Sequence, residues 1–125
     1  MPSDSSLVRA ICKIPREFRR GNISPRESLE RFGYDSAREA VTVAALRSCL
    51  EEEPELITEW LHWSEDKRTS DGWFFSVRDD VGEVGYLGRA EPPTKFTPLA
   101  EACAQFVHRE IESIHSSGRI RDRTA

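Results

Sequence analysis

No stretch of this chain approaches the roughly 20 consecutive apolar residues that a membrane-spanning helix requires. Its opening, Met1-Pro2-Ser3-Asp4, is polar, so neither a membrane span nor a secretory leader is expected. Cysteine is sparse: Cys12, Cys49 and Cys103 form an odd set without a CxxC pair or metal-ligand spacing. Each sits in an apolar-periodic stretch, which reads as buried free thiols in a reducing cytoplasm rather than a disulfide frame or zinc site. Histidine is limited to His62, His108 and His115. The last two are seven residues apart, two helical turns, whereas one metal needs the i, i+4 spacing. There is no HExxH, no nucleophile elbow and no Ser-His-Asp pattern. Gly82, Gly85 and Gly88 recur every three residues, but they do not open a helix as a phosphate loop does, and their place in a hairpin suits a turn or a close approach. The sequence therefore assigns no catalytic residue, no cofactor and no metal.

What is present is charge, unevenly placed. The chain has 125 residues, 32% of them charged, and a net charge of −4. The first 26 residues are basic, with Arg9, Lys13, Arg16, Arg19, Arg20 and Arg26, and residues 27–66 are strongly acidic, with Glu51-Glu52-Glu53, Glu55, Glu59, Glu65 and Asp66. An acidic field repels nucleic acid and attracts basic partners. With a pI near 5.4 and no nucleic-acid-binding signature, a nucleic-acid partner is not expected. The bland alternative is that the acidic run is a solvated helix face and that the N-terminal arginines pair with it, within the chain or between copies.

Local signals predict an α+β fold: four or five helices packed on a small antiparallel sheet built around a β-hairpin at about residues 73–87. One domain is expected over residues 1–118, with 119–125 a frayed tail. Leu7, Val8, Ile11, Cys12 and Ile14 have helical spacing, and Pro15 interrupts the run or starts another short helix. Gly21-Asn22 signals a turn. Ser24, Pro25 and Glu27 make a helix start that Gly33 ends, and Asp35-Ser36 suggests a further cap. Thr42 caps a helix carrying Val43, Leu46, Cys49 and Leu50. Pro54 suits the first turn of the next, whose buried face is marked by Ile57, Trp60 and Leu61. Alternation places Trp73, Phe75 and Val77 on one face of a strand, Asp79 to Glu83 supply the turn, and Val84 to Leu87 return. A third strand comes from Gly88–Ala90 or Lys95-Phe96. Thr97-Pro98 opens the clearest helix, with Leu99, Cys103, Phe106, Val107 and Ile114 apolar and Gly118 as its stop.

All three tryptophans, Trp60, Trp63 and Trp73, fall within fourteen residues around the polar string Ser64 to Gly72. Tryptophan is enriched in cores and at binding hot spots, and a loop held on a rigid scaffold often carries function. Trp60 fits the core and Trp63, near a helix end, is placed to be partly exposed. The run from Leu56 through Trp60, Trp63 and Gly72-Trp73-Phe74, followed by a hairpin and a closing helix with Ala102-Cys103-Ala104-Gln105-Phe106-Val107, resembles small bacterial immunity proteins. These are encoded beside contact-dependent growth-inhibition and other polymorphic toxins. That resemblance, over roughly residues 40–115, implies an acidic cytoplasmic α+β protein that is not an enzyme and blocks the C-terminal domain of a cognate toxin, most simply a nuclease with a basic cleft. The partner-binding set expected on this reading is Glu52, Glu53, Glu55, Glu59, Trp63, Glu65 and Asp66. A second reading is a regulatory or adaptor homodimer whose basic N-terminal helix docks on the acidic segment of another copy. A third is a small enzyme using His62 with Glu59, Glu65 and Asp66.

Overall fold

The computed structural model describes residues 4–19, 25–66, 72–88 and 90–124. The Gly21-Asn22 turn, the Ser24 cap and the string Lys67 to Asp71 lie outside them. Seven α-helices are present among the described residues: α1 (Asp4–Cys12), α2 (Ile14–Arg19), α3 (Pro25–Phe32), α4 (Tyr34–Ala37), α5 (Val43–Glu52), α6 (Glu55–Asp66) and α7 (Leu99–Thr124). The sheet holds β1 (Gly72–Arg78), β2 (Val81–Leu87) and β3 (Thr94–Phe96), antiparallel in the order β1-β2-β3. The α+β class is as expected. The helix count exceeds the expected four or five because Pro15 splits the first apolar run in two and because one turn forms after Gly33.

Each break has a local cause. Pro15 sits at the second position of α2, where a proline is tolerated because first-turn N–H groups need no intrahelical partner. The Cys12 carbonyl at the break accepts a 2.9 Å hydrogen bond from the Trp60 indole N–H. Gly33 ends α3 in the left-handed region, at φ 72°, a conformation glycine adopts without steric cost. Asp35 and Ser36 lie inside the turn that follows and do not cap it. Thr42 does cap α5: its Oγ1 accepts from the Ala45 N–H at 3.1 Å.

The core forms around α7, which touches α3, α5, α6 and all three strands. Its first turns are small, and Ala100, Ala102, Cys103 and Ala104 are buried on more than one side. Phe106 stacks on Phe75 at 5.8 Å and meets Trp60 edge-on at 6.0 Å, joining α7, β1 and α6 in one aromatic centre. On α6 the fully buried line is Leu56, Trp60 and Ser64, while Ile57 and Leu61 are half-buried. The stripe is thus shifted from the expected one and includes a serine.

The hairpin is longer than its composition suggests. Val81, Gly82 and Glu83 belong to β2, where the register runs Arg78↔Val81, Val77↔Gly82 and Ser76↔Glu83. Only Asp79-Asp80 turn, both with positive φ (53° and 63°). Gly82 is glycine for packing: a Cβ there would stand 2.1 Å from the Ala102 Cβ. Val77, expected on the same face as Trp73 and Phe75, is at the hairpin end and is exposed. The third strand is the Lys95-Phe96 alternative. Gly118 does not stop α7, which continues to Thr124; the helical backbone therefore runs across the residue 118 boundary and into the segment read as a tail.

Candidate functional site

The Glu51-Glu52-Glu53 run sits where helix electrostatics disfavour it, whereas Glu55 stands in the first turn of α6, where they favour it. Glu51, Glu52 and Glu53 crowd the C-terminal end of α5, which carries no basic residue in its last turn, and a helix C-terminus is the negative end of its dipole. The N-terminal helices supply the missing cations. Arg9 lies 3.3 Å from Glu52, Lys13 3.9 Å from Glu53, and Arg16 4.0 Å from Glu53. Arg16 also grips Glu59 with two hydrogen bonds, at 2.6 and 3.3 Å. Arg47 pairs with Glu51 along α5 and reaches Glu101 on α7.

These contacts differ in weight. Arg9 and Glu52 are 54% and 66% exposed, so water screens them and the pair contributes little. Glu59 is only 15% exposed, and its carboxylate, through that hydrogen bond, pushes the Arg16 guanidinium above its ordinary value despite opposing desolvation. The basic stripe and the acidic segment read from the sequence thus meet within one chain.

The seven residues expected to bind a partner therefore divide. Glu52, Glu53 and Glu59 are drawn together by Arg9, Lys13 and Arg16. Glu55 and Glu65 are exposed and share the outer side of α6 with Thr58 and His62. Asp66 ends that helix, and its side chain lies outside the described residues. Trp63 is half-buried and its indole N–H donates to the Glu110 Oε2 at 2.9 Å. Its edge meets Trp60 at 5.6 Å and Phe18 at 5.2 Å. Trp73 packs against Tyr86 and lies under the Arg109 guanidinium. All three tryptophans are therefore engaged with the core or its margin.

Two features escape the sequence reading. Phe18 is 49% exposed, a large apolar side chain resting on Trp63 at the surface. The local spacing does not mark it as exposed: Phe18 follows Ile14 at i+4, as a core residue would. The other is a polar network at α4 and α7. The Tyr34 hydroxyl donates to one Glu112 carboxylate oxygen and Arg38 donates to the other. Burial works to raise the Glu112 carboxyl, but the Tyr34 and Arg38 hydrogen bonds outweigh it and hold it below the ordinary range. Burial, with the Glu112 carboxylate adding to it, pushes Tyr34 well up. His115 lies beside it, 5.3 Å ring to ring from Tyr34 and 3.1 Å from an Asp35 oxygen. Partners 74 and 78 residues apart leave no local sequence signal.

Among the described residues, no group of three His, Cys, Asp or Glu side chains could hold a metal ion, and no helix is long and apolar enough to cross a membrane. His62 is exposed on α6, on the side away from the buried Trp60. Open depressions among the described residues include one of about 240 Å³ between α1 and α5 beside Cys49 and one of about 280 Å³ on the outer face of the hairpin beside Phe74. Comparison of the chain with protein families, with curated proteins and with solved structures found no match.

Proposed function

We propose that this protein is a non-enzymatic, cytoplasmic immunity protein that binds the C-terminal domain of a cognate toxin, a nuclease, and occludes its basic cleft. The supporting observation is the Phe18–Trp63 pair. Phe18 is half exposed and seated edge-on against a ring that Glu110 fixes in place. An aromatic held rigid at the surface buries area on binding at low entropic cost, the property of a binding hot spot. The exposed carboxylates Glu55 and Glu65 on the neighbouring α6 give the surface a negative rim that steers a basic partner.

The in-chain ion pairs narrow the contact set. Glu53 and Glu59 act first on the fold and the exposed Glu52 is screened beside Arg9, so the partner surface is centred on Phe18, Trp63, Glu55 and Glu65. The same pairs weaken the homodimer reading, since the N-terminal cations meet their carboxylates without a second copy.

The test is co-purification of the full chain with the toxin domain encoded beside it, with rescue of cells expressing that domain. A stoichiometric complex that silences the toxin, and that loosens about 30-fold in Phe18→Ala and with added salt in the wild type, is the expected result. A folded Glu55→Lys, Glu65→Lys, Phe18→Ala variant that binds unchanged would remove this surface from the proposal. Absence of complex and rescue, with a salt-sensitive dimer in sedimentation, would replace it by the homodimer.

A further inference from the structure

Partly buried arginines in this protein are matched to carboxylates, with one departure. Among the described residues, Arg16 pairs with Glu59, Arg26 with Glu30, Arg38 with Glu112, and Arg47 with Glu51 and Glu101. Arg109 on α7 is also partly buried, but no carboxylate among the described residues pairs with it. Two aromatic rings take that place. The guanidinium carbon stands 5.2 Å from the centre of the Trp73 ring and 5.7 Å from that of Phe96.

The sheet brings both rings to one cation. Trp73 is on β1 and Phe96 on β3, with β2 between them. Trp73 shares its face with Phe75, which stacks on Phe106 of α7. Phe96 is on the same face, because it pairs with Gly82, the residue that Ala102 of α7 presses against. Neighbouring strands are about 4.8 Å apart, so the two rings rise on either side of β2 and Arg109 reaches down from α7 between them. Tyr86, opposite Trp73 in the register, meets it edge-on at 5.2 Å and braces it. Aromatic faces offset the charge of a guanidinium, but they supply no oxygen acceptor for its five N–H donors. A cation held in this way loses little side-chain freedom when an anion arrives.

We propose that Arg109 is a carboxylate-recognition site, whose guanidinium takes the side-chain carboxylate of an aspartate or glutamate on the bound protein partner. The planar fork matches a carboxylate with two parallel hydrogen bonds. A single fork ringed by aromatic side chains suits that monoanion better than a phosphate dianion. The source of the carboxylate rests on the immunity reading, whereas the binding of a carboxylate does not. Glu110, the next residue of α7, fixes Trp63, so consecutive positions of one helix serve the Phe18–Trp63 patch and this cation. Glu55 and Glu65 attract any basic protein. Arg109 favours one that brings a carboxylate to this position and disfavours one that brings a lysine or arginine, so it selects among basic partners.

The first experiment needs no partner. Propionate is titrated into the full ¹⁵N-labelled chain, with sodium chloride at equal ionic strength as the reference, and the Arg109 Nε–H and Trp73 indole N–H signals are followed. Saturable shifts with propionate and not with chloride are expected. Absence of saturation, or equal shifts with chloride, would overturn the site, and the wild-type chain decides this without reliance on any variant's folding. The second experiment uses the complex with the toxin domain. Arg109→Lys keeps the charge and loses the planar fork, and it should weaken the complex by about tenfold. A folded Arg109→Lys that binds the domain as tightly as wild type would overturn the assignment of the carboxylate to the toxin. Saturable propionate binding in a chain that forms no toxin complex supports the site and overturns the immunity reading instead.

Discussion

The Ser64 hydroxyl, buried in the last turns of α6, accepts a 2.7 Å hydrogen bond from the backbone N–H of Phe75 on β1. That N–H points away from β2, toward the edge of the sheet, where it would otherwise have no strand to pair with. A buried backbone donor without an acceptor is destabilising. Ser64→Ala removes the acceptor and leaves the donor enclosed, so unfolding in urea should show a loss of about 1–3 kcal/mol. A loss within error would mean that the edge is hydrated.

The Arg16–Glu59 contact should prove the strongest link between the N-terminal helices and the body. A double-mutant cycle with Arg16→Ala and Glu59→Ala should return a coupling of about 1 kcal/mol that shrinks with salt. The same cycle on Arg9 and Glu52, both more than half exposed, should return a value near zero.

Glu112 sets part of the acid limb of stability. Its carboxyl is held below the ordinary 4.5, so its contribution is fully present above that value and is lost as pH falls through the lower folded value. Glu112→Gln should flatten this part of the curve of thermal midpoint against pH. Tyr34 acts on the opposite limb. Its hydroxyl is raised above 10.0, so its contribution holds below pH 10.0 and declines as pH rises beyond it. Tyr34→Phe should remove that decline, and an unchanged alkaline limb would count against the hydroxyl's role.

The two-residue turn Asp79-Asp80 places two carboxylate side chains in the left-handed region. Aspartate tolerates this geometry less well than the Asn-Gly pair that type I′ turns favour. Asp79→Asn with Asp80→Gly should stabilise the protein by roughly 1 kcal/mol in thermal or urea unfolding. Destabilisation would show that the carboxylates make a contribution of their own.

What the sequence discloses here is what depends on near neighbours. The Thr42 cap, the Gly33 stop, the start after Pro54 and the hairpin are all settled within a few residues, and all were legible. The sequence predicts too long a turn at Asp79 because Gly82 and Glu83 have the composition of turn residues. Gly82 answers instead to Ala102, which lies twenty residues away and presses on the strand. Gly118 misled in the opposite sense, since glycine inside a helix costs only about 1 kcal/mol relative to alanine and need not end it. At the candidate surface, the acidic segment was legible as charge. Its division was not, because Arg16 meets Glu59 across 43 residues of chain and Trp63 meets Glu110 across 47. Phe18 owes its significance to the Trp63 ring beside it, from a helix distant in sequence.

The position of α7 after the strands and α5 in chain order has a consequence for how the molecule is made. This helix covers the inner side of all three strands and of α5, and it follows every one of them. During vectorial synthesis, α1 to α6 and the hairpin leave the ribosome with Phe75 and Trp60 still lacking Phe106. Native packing must wait for α7 to emerge. The nascent chain therefore passes through an interval of exposed apolar surface, in which chaperone capture competes with completion of the fold.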